Sequence, residues 1–111
     1  MINITDNNLK DIPTLYTFEN SKIQDVKISI HFFIDEVNFH WFGFEYSPAE
    51  KIFYGFAYLN DEINSELGYF SLSELIEVSN SYNVQVELFE EPITVKDAVN
   101  KYPMLKKLLE Y

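Results

Sequence analysis

Carboxylates are the side chains with the most chemistry to offer in this chain. Between Asp61 and Ile93 stand eight of them, Asp61, Glu62, Glu66, Glu74, Glu77, Glu87, Glu90 and Glu91, and no lysine. The flanks are milder, with eight acids against four lysines before Asp61 and two acids against four lysines after Ile93. A block of one sign sets the field a partner meets, so it speaks of partners before it speaks of reactions. Gathered on one face, Asp61, Glu62, Glu66, Glu74, Glu77, Glu87, Glu90 and Glu91 would present a phosphate-like array to a basic, nucleic-acid-handling protein, with all but Glu87 taken as the contact residues. Glu74 and Glu77 are three apart and share a side of a helix. The ordinary role of the same charge is to keep a small aromatic-rich protein in solution. Within the tract, Asn60, Glu62, Asn64 and Glu66 place oxygens at alternate positions, the donor type that Ca²⁺ takes. The stretch lacks the glycine and the twelve-residue spacing of an EF-hand, and an acidic solvated turn accounts for it equally well.

Acid–base and nucleophilic catalysis have little to work with. His31 and His40 are the two histidines, and both fall on predicted strands. There a lone histidine is more often a satisfied core or rim residue than a general base set against a partner. Cysteine is absent, which removes disulfides, thiolate metal sites and thiol nucleophiles and suits a cytoplasmic protein. Three glycines, Gly43, Gly55 and Gly68, make no phosphate-cradling loop, and neither Gly-x-Ser-x-Gly nor His-Glu-x-x-His occurs. The expectation is a protein without catalytic residues, metal or cofactor.

Arginine is absent, so all eight cations are lysines. Lysine does not reproduce the planar fork that grips phosphates and guanine edges. With a net charge of −10, direct nucleic-acid binding by phosphate neutralisation is excluded as an expectation. No run approaches the roughly 20 apolar residues of a membrane helix, and the first residues carry no basic-then-apolar signal pattern.

The elements that must position these residues read from periodicity. A hydrophobic content of 47% is enough for a folded core, and 1–111 reads as one domain. Asn7–Ile12 predicts a short helix ending before Pro13. Val26–Phe33 alternates with period two, a strand. Asn38–Tyr46 and Lys51–Leu59 flank Ser47-Pro48-Ala49-Glu50 as a hairpin. Closing that loop puts Tyr46 opposite Lys51, Phe42 opposite Gly55 and Tyr54 opposite Gly43, each glycine facing a ring. Leu67–Phe70 follows as a strand, then a helix over Leu72–Tyr82 opened by the capping box Ser71-Leu72-Ser73-Glu74. Val84–Phe89 is a further strand that Glu90-Glu91-Pro92 ends. Thr94 caps another helix, and Pro103 restarts the chain as Pro103–Glu110. The fold class is α+β: an antiparallel sheet of four to five strands with helices packed on one side.

Rings occupy both faces of the hairpin: Phe39, Trp41, Phe42, Phe44, Tyr46, Phe53, Tyr54, Phe56 and Tyr58. A sheet with helices on one side needs rings on one face only. Either the second face is covered by the terminal segments 2–18 and 104–111, or it is a partner surface on which Trp41 serves as a hot spot and a homodimer forms through the hairpin.

Tyr54-Gly55-Phe56, followed by Glu66-Leu67-Gly68-Tyr69-Phe70-Ser71-Leu72-Ser73-Glu74-Leu75, resembles the core of a family of short bacterial proteins catalogued as a domain of unknown function. Ile12-Pro13-Thr14-Leu15-Tyr16 and the Trp41 hairpin are similar too, so the resemblance spans about Leu9 to Val95. It implies carriage on plasmids, integrative elements and phages near anti-restriction genes, and assigns no catalytic residue. Charge and resemblance together lead to the expectation of a cytoplasmic, non-catalytic, acidic interaction protein. It would be a mobile-element accessory or an anti-restriction or anti-CRISPR factor that occludes a basic protein surface. An immunity or antitoxin-type inhibitor and a small-ligand-binding domain are the alternatives.

Overall fold

The structure is a computed structural model that describes residues 2–111. Five strands form one antiparallel sheet: β1 Lys27–Ile34, β2 Phe39–Ser47, β3 Ile52–Leu59, β4 Glu66–Ser71 and β5 Gln85–Thr94. Their order across the sheet is β4-β3-β2-β1-β5. The first four strands meander. The connection from β4 then crosses the sheet to deliver β5 to the opposite edge, carrying α2 Leu72–Val78 on the way. Short helices α1 Asp6–Leu9 and α3 Val95–Ala98 and a 3-10 helix, Pro103–Glu110, complete an α+β fold.

The helices lie on both faces of the sheet, not on one. On the first face Ile30, Phe32, Ile34, Tyr46, Phe53 and Phe70 pack with Ile2, Leu9 and Ile12 from the N-terminal segment and with Leu72 and Leu75 from α2. On the second, Ile28, Phe42, Phe44 and Phe56 pack with Val95 and Ala98 of α3 and with Tyr102, Leu105 and Leu108. The cause is in β2 and β3, whose alternate positions are apolar on both sides, so each face has to be taken out of water. The two faces of the hairpin are therefore covered by different parts of the chain, the N-terminal segment with α2 on one and α3 with the C-terminal segment on the other, where the expectation had both ends on one face.

Two β-bulges redirect the strands. In β2 the ladder runs Gly43↔Gly55 and then Glu45↔Tyr54, leaving Phe44 unpaired. After such a bulge the alternation of faces is reset. The hairpin closes Ser47 on Ile52 and Tyr46 on Phe53, with Phe42 opposite Phe56, so the expected Tyr46–Lys51 register and the glycine–ring pairs do not form. Lys51 takes a left-handed conformation (φ 57°) and belongs to the turn, which lengthens the connection beyond the predicted boundary. Gly43 and Gly55 face each other because the backbones come close there; a Cβ on Gly55 would stand 1.8 Å from the Phe42 carbonyl oxygen. The second irregularity extends β5 past its predicted end. Ile30 pairs with Leu88 and Ile28 with Ile93, so Phe89–Pro92 stand opposite Ser29 alone. Proline is tolerated there because β5 is an edge strand and the ladder is already interrupted.

The caps follow the local reading in part. Ser71 Oγ accepts the Glu74 N–H at 3.1 Å and Thr94 Oγ1 accepts that of Asp97 at 3.3 Å, each satisfying a helix-end donor. The reciprocal capping box, with both arms closed, forms at Thr5 and Asn8. The helix after Ser71 stops at Val78, and Ser79–Tyr82 turn toward β5.

Candidate functional site

All seven carboxylates singled out in the acidic tract, Asp61, Glu62, Glu66, Glu74, Glu77, Glu90 and Glu91, are exposed. None has a lysine or histidine nitrogen within ion-pairing distance; among the described residues the pairs found both involve Glu87. The sheet does not gather them into one cluster. Glu66 begins β4 at one edge, next to the loop bearing Asp61 and Glu62, while Glu90 and Glu91 lie on β5 at the other edge. Four strand spacings separate the edges, about 19 Å, roughly two Debye lengths at physiological salt. Glu74 and Glu77 stand on α2, over the first face. Trp41 is half-buried, packs against the first core and meets Phe39 edge-on, with ring centroids 6.1 Å apart.

The loop from Asn60 to Ser65 is tied together by hydrogen bonds. The Asp61 carboxylate accepts the Asn64 N–H at 2.7 Å and its side-chain amide at 2.9 Å, and these bonds hold it below the usual carboxylate range. Ser65 Oγ donates to the Asp61 carbonyl. Lys107, from the C-terminal 3-10 helix, donates to the carbonyls of Glu62 and, at 3.0 Å, Ser65. The Asp61 carboxylate, the Asn60 amide oxygen and the carbonyls of Asp61, Glu62 and Ser65 thus accept from the protein's own donors, whereas the Glu62 and Glu66 carboxylates do not. Among the described residues, no three His, Asp or Glu side chains converge as a metal site. At the tip Ile63 is 93% exposed, an apolar knob between Glu62 and Glu66.

Glu87, the eighth carboxylate of the tract, has a different fate. It faces β1 and forms the head of a hydrogen-bonded row. Tyr102 donates to its Oε1 and Lys101 to its Oε2 at 3.2 Å. His31 Nδ1 lies 3.4 Å from Oε1, and His31 Nε2 lies 2.8 Å from His40 Nδ1. His40 Nε2 is 2.9 Å from Asn38 Oδ1, and the Asn38 amide donates to Asn60 at 3.2 Å. Sheet register creates the row: His31 pairs with Phe42 and with Glu87, and Phe33 with His40. The two histidines are thus diagonal neighbours on one face. Their rings lie nearly parallel, 5.1 Å apart, and Phe42 stacks on His31 at 4.4 Å.

Burial, with the neighbouring His40 second, lowers the pKa of His31 to about 4. Burial also lowers that of His40. Both imidazoles are therefore neutral at pH 7. Burial would raise Glu87, but the Tyr102 hydroxyl, Lys101 and His31 outweigh it and hold the carboxyl below its ordinary value. Two neutral imidazoles carry two ring protons for the three ring-nitrogen contacts of the row, whose two end groups are both acceptors, so one of the three contacts lacks a proton; neither of two surface cavities, about 350 and 370 Å³, is lined by a histidine. The row is a polar seam between β5, β1 and β2.

Sequence reading missed Glu87 as a partner of His31, and it missed Tyr102, Lys101, Asn38 and the buried Glu45. Only pairing across strands brings them together, and no local spacing signals it. No helix among the described residues is long and apolar enough to cross a membrane. The chain matches no protein-family model, no curated protein and no solved structure.

Proposed function

We propose that the protein is a non-catalytic interaction domain that docks on a basic protein surface, with the 60–66 loop at the centre of the contact. The observation that carries this reading is that, among the described residues, the seven exposed carboxylates of the tract have no lysine or histidine nitrogen within ion-pairing distance. Unneutralised surface charge destabilises a compact state through self-repulsion, a cost that a basic partner relieves. Ile63 supplies an apolar anchor ringed by Asp61, Glu62 and Glu66 on a loop already fixed by Lys107, so little ordering entropy remains to be lost on binding. The separation of the two acidic edges favours a partner that contacts one edge at a time. The resemblance of the 66–75 segment to proteins of mobile elements favours an accessory or anti-defence role, with an immunity-type inhibitor as the reading of the same chemistry in another gene neighbourhood.

The test is association kinetics with the protein captured from the producing cell, measured across a salt series. Steered association slows steeply as salt rises. Glu62→Gln with Glu66→Gln should slow association, Ile63→Ser should speed dissociation, and Glu90→Gln with Glu91→Gln should do neither. A wild-type rate that is indifferent to salt, or a loop variant that associates like the wild type, overturns the reading.

A further inference from the structure

The second face of the sheet holds a cavity of about 350 Å³ beneath the segment from Tyr16 to Val26. Its walls include Phe44 from the β2 bulge, Tyr54 and Tyr69 from β3 and β4, and Tyr16 and Phe18 from the overlying segment. Tyr54 meets Tyr69 edge-on at 5.2 Å and Phe44 at 6.4 Å. The remaining wall is Glu45, 4% exposed, placed on this face beside Phe44 because the bulge resets the alternation.

Glu45 is the unusual member. Its Oε1 accepts the N–H of Tyr16 at 2.9 Å and its Oε2 that of Phe18 at 2.8 Å, so the carboxylate pins the overlying segment, with Tyr16 in a left-handed conformation (φ 72°). Those bonds give each oxygen one donor, which leaves a further lone pair on each and leaves the charge unmatched. Among the described residues no lysine or histidine lies within ion-pairing distance of it, and the other ionisable acid at the cavity, Glu19, has the same sign. Buried carboxylates are ordinarily matched by a cation. Here the space next to the charge is open and walled by aromatic rings, whose faces attract cations.

We infer that this cavity binds an organic ammonium ion, with Glu45 as its counter-charge and Tyr54, Tyr69 and Phe44 as its aromatic walls. A hard metal ion is a poorer occupant, because rings supply no lone pairs and both Glu45 oxygens already accept N–H groups. An anion meets two carboxylates. The volume lies near the lower bound of ligand pockets, about 300 Å³, a size for a small free ammonium compound or for one lysine-type side chain. The site is separate from the proposed docking loop, because none of the seven exposed tract carboxylates lines it, so the two readings succeed or fail independently.

The experiment is a titration of the full chain followed by NMR, with choline, Nα-acetyl-lysine amide and the uncharged choline analogue 3,3-dimethylbutan-1-ol as probes. Choline or the lysine amide should shift the resonances of Phe44, Tyr54 and Tyr69 with a Kd of about 1 mM or tighter. The uncharged analogue should bind at least about tenfold more weakly. Tyr69→Leu, at a position 56% exposed, should weaken binding about tenfold while leaving thermal unfolding unchanged. Tighter binding of choline identifies a free ligand and tighter binding of the lysine amide identifies a partner's side chain; both sustain an ammonium site. Equal affinity for the uncharged analogue, an unaltered Tyr69→Leu, or no shift with either cation up to about 20 mM overturns it.

Discussion

Acidification should destabilise this protein through His31 before its carboxylates matter. His31 is 2% exposed, stacked on Phe42 and Phe33, and held neutral with a pKa of about 4 against an ordinary 6.5. The unfolded chain therefore takes up a proton that the folded chain refuses as the pH falls below 6.5. A histidine depressed in the folded state contributes stability that is complete above the unfolded pKa and is lost on the way down to the folded one. The interval from 6.5 to about 4 is worth about 3 kcal/mol in all, of which about 2 kcal/mol is lost by pH 5. That is a large share of the roughly 5–15 kcal/mol that holds a domain together. Glu87 is also held below its ordinary value, so its contribution disappears at lower pH, leaving pH 7 to pH 5 to the histidines. Urea unfolding followed by the fluorescence of Trp41, the single tryptophan, reads the stability at each pH. Wild type should lose midpoint steadily across that window. His31→Phe keeps the stacked ring and removes the proton site, so its slope should shrink to the residue left by His40. A flat wild-type profile between pH 7 and pH 5, or an unchanged slope in His31→Phe, refutes the reasoning.

The glycine row gives a paired prediction. Gly55→Ala, whose Cβ would meet the Phe42 carbonyl, should cost about 2 kcal/mol or more, whereas Gly68→Val, with open space at its Cβ and no positive φ, should be neutral or raise stability by up to about 1 kcal/mol; denaturant midpoints of the two decide it. The Tyr46 hydroxyl is buried without a hydrogen-bond partner, and burial raises its pKa. Tyr46→Phe should therefore gain about 1 kcal/mol, and a loss of that size in a calorimetric melt would show the hydroxyl to be satisfied.

Features that depend on neighbours a few residues apart are legible in the amino-acid sequence. Period-two alternation in Val26–Phe33 and the hairpin signal of Lys51–Leu59 place strands close to where they lie, and Ser71 and Thr94 mark helix starts by offering a side-chain oxygen to a nearby N–H. Pro103 opens the last helix because its fixed φ suits a first turn. The unpaired charge of the acidic tract is equally legible, since a block without lysines has no local cation to meet. What required the tertiary structure was every relation between strands. The bulge at Phe44 and the left-handed Lys51 moved the hairpin register away from its simplest closure, because backbone contact at Gly43 and Gly55 and packing on both faces outweigh loop geometry. That same bulge turned Glu45, an unremarked acid in β2, into the buried wall of a cavity. His31, His40 and Glu87 stand far apart along the chain and meet only because β2 and β5 pair on either side of β1. The carboxylates at Glu66 and Glu90–Glu91, close in composition and charge, ended on opposite edges because the connection through α2 carries β5 across the sheet. Spacing along a chain encodes turns and faces; which strands become neighbours is decided by the joint burial of two cores, and no short segment contains that information.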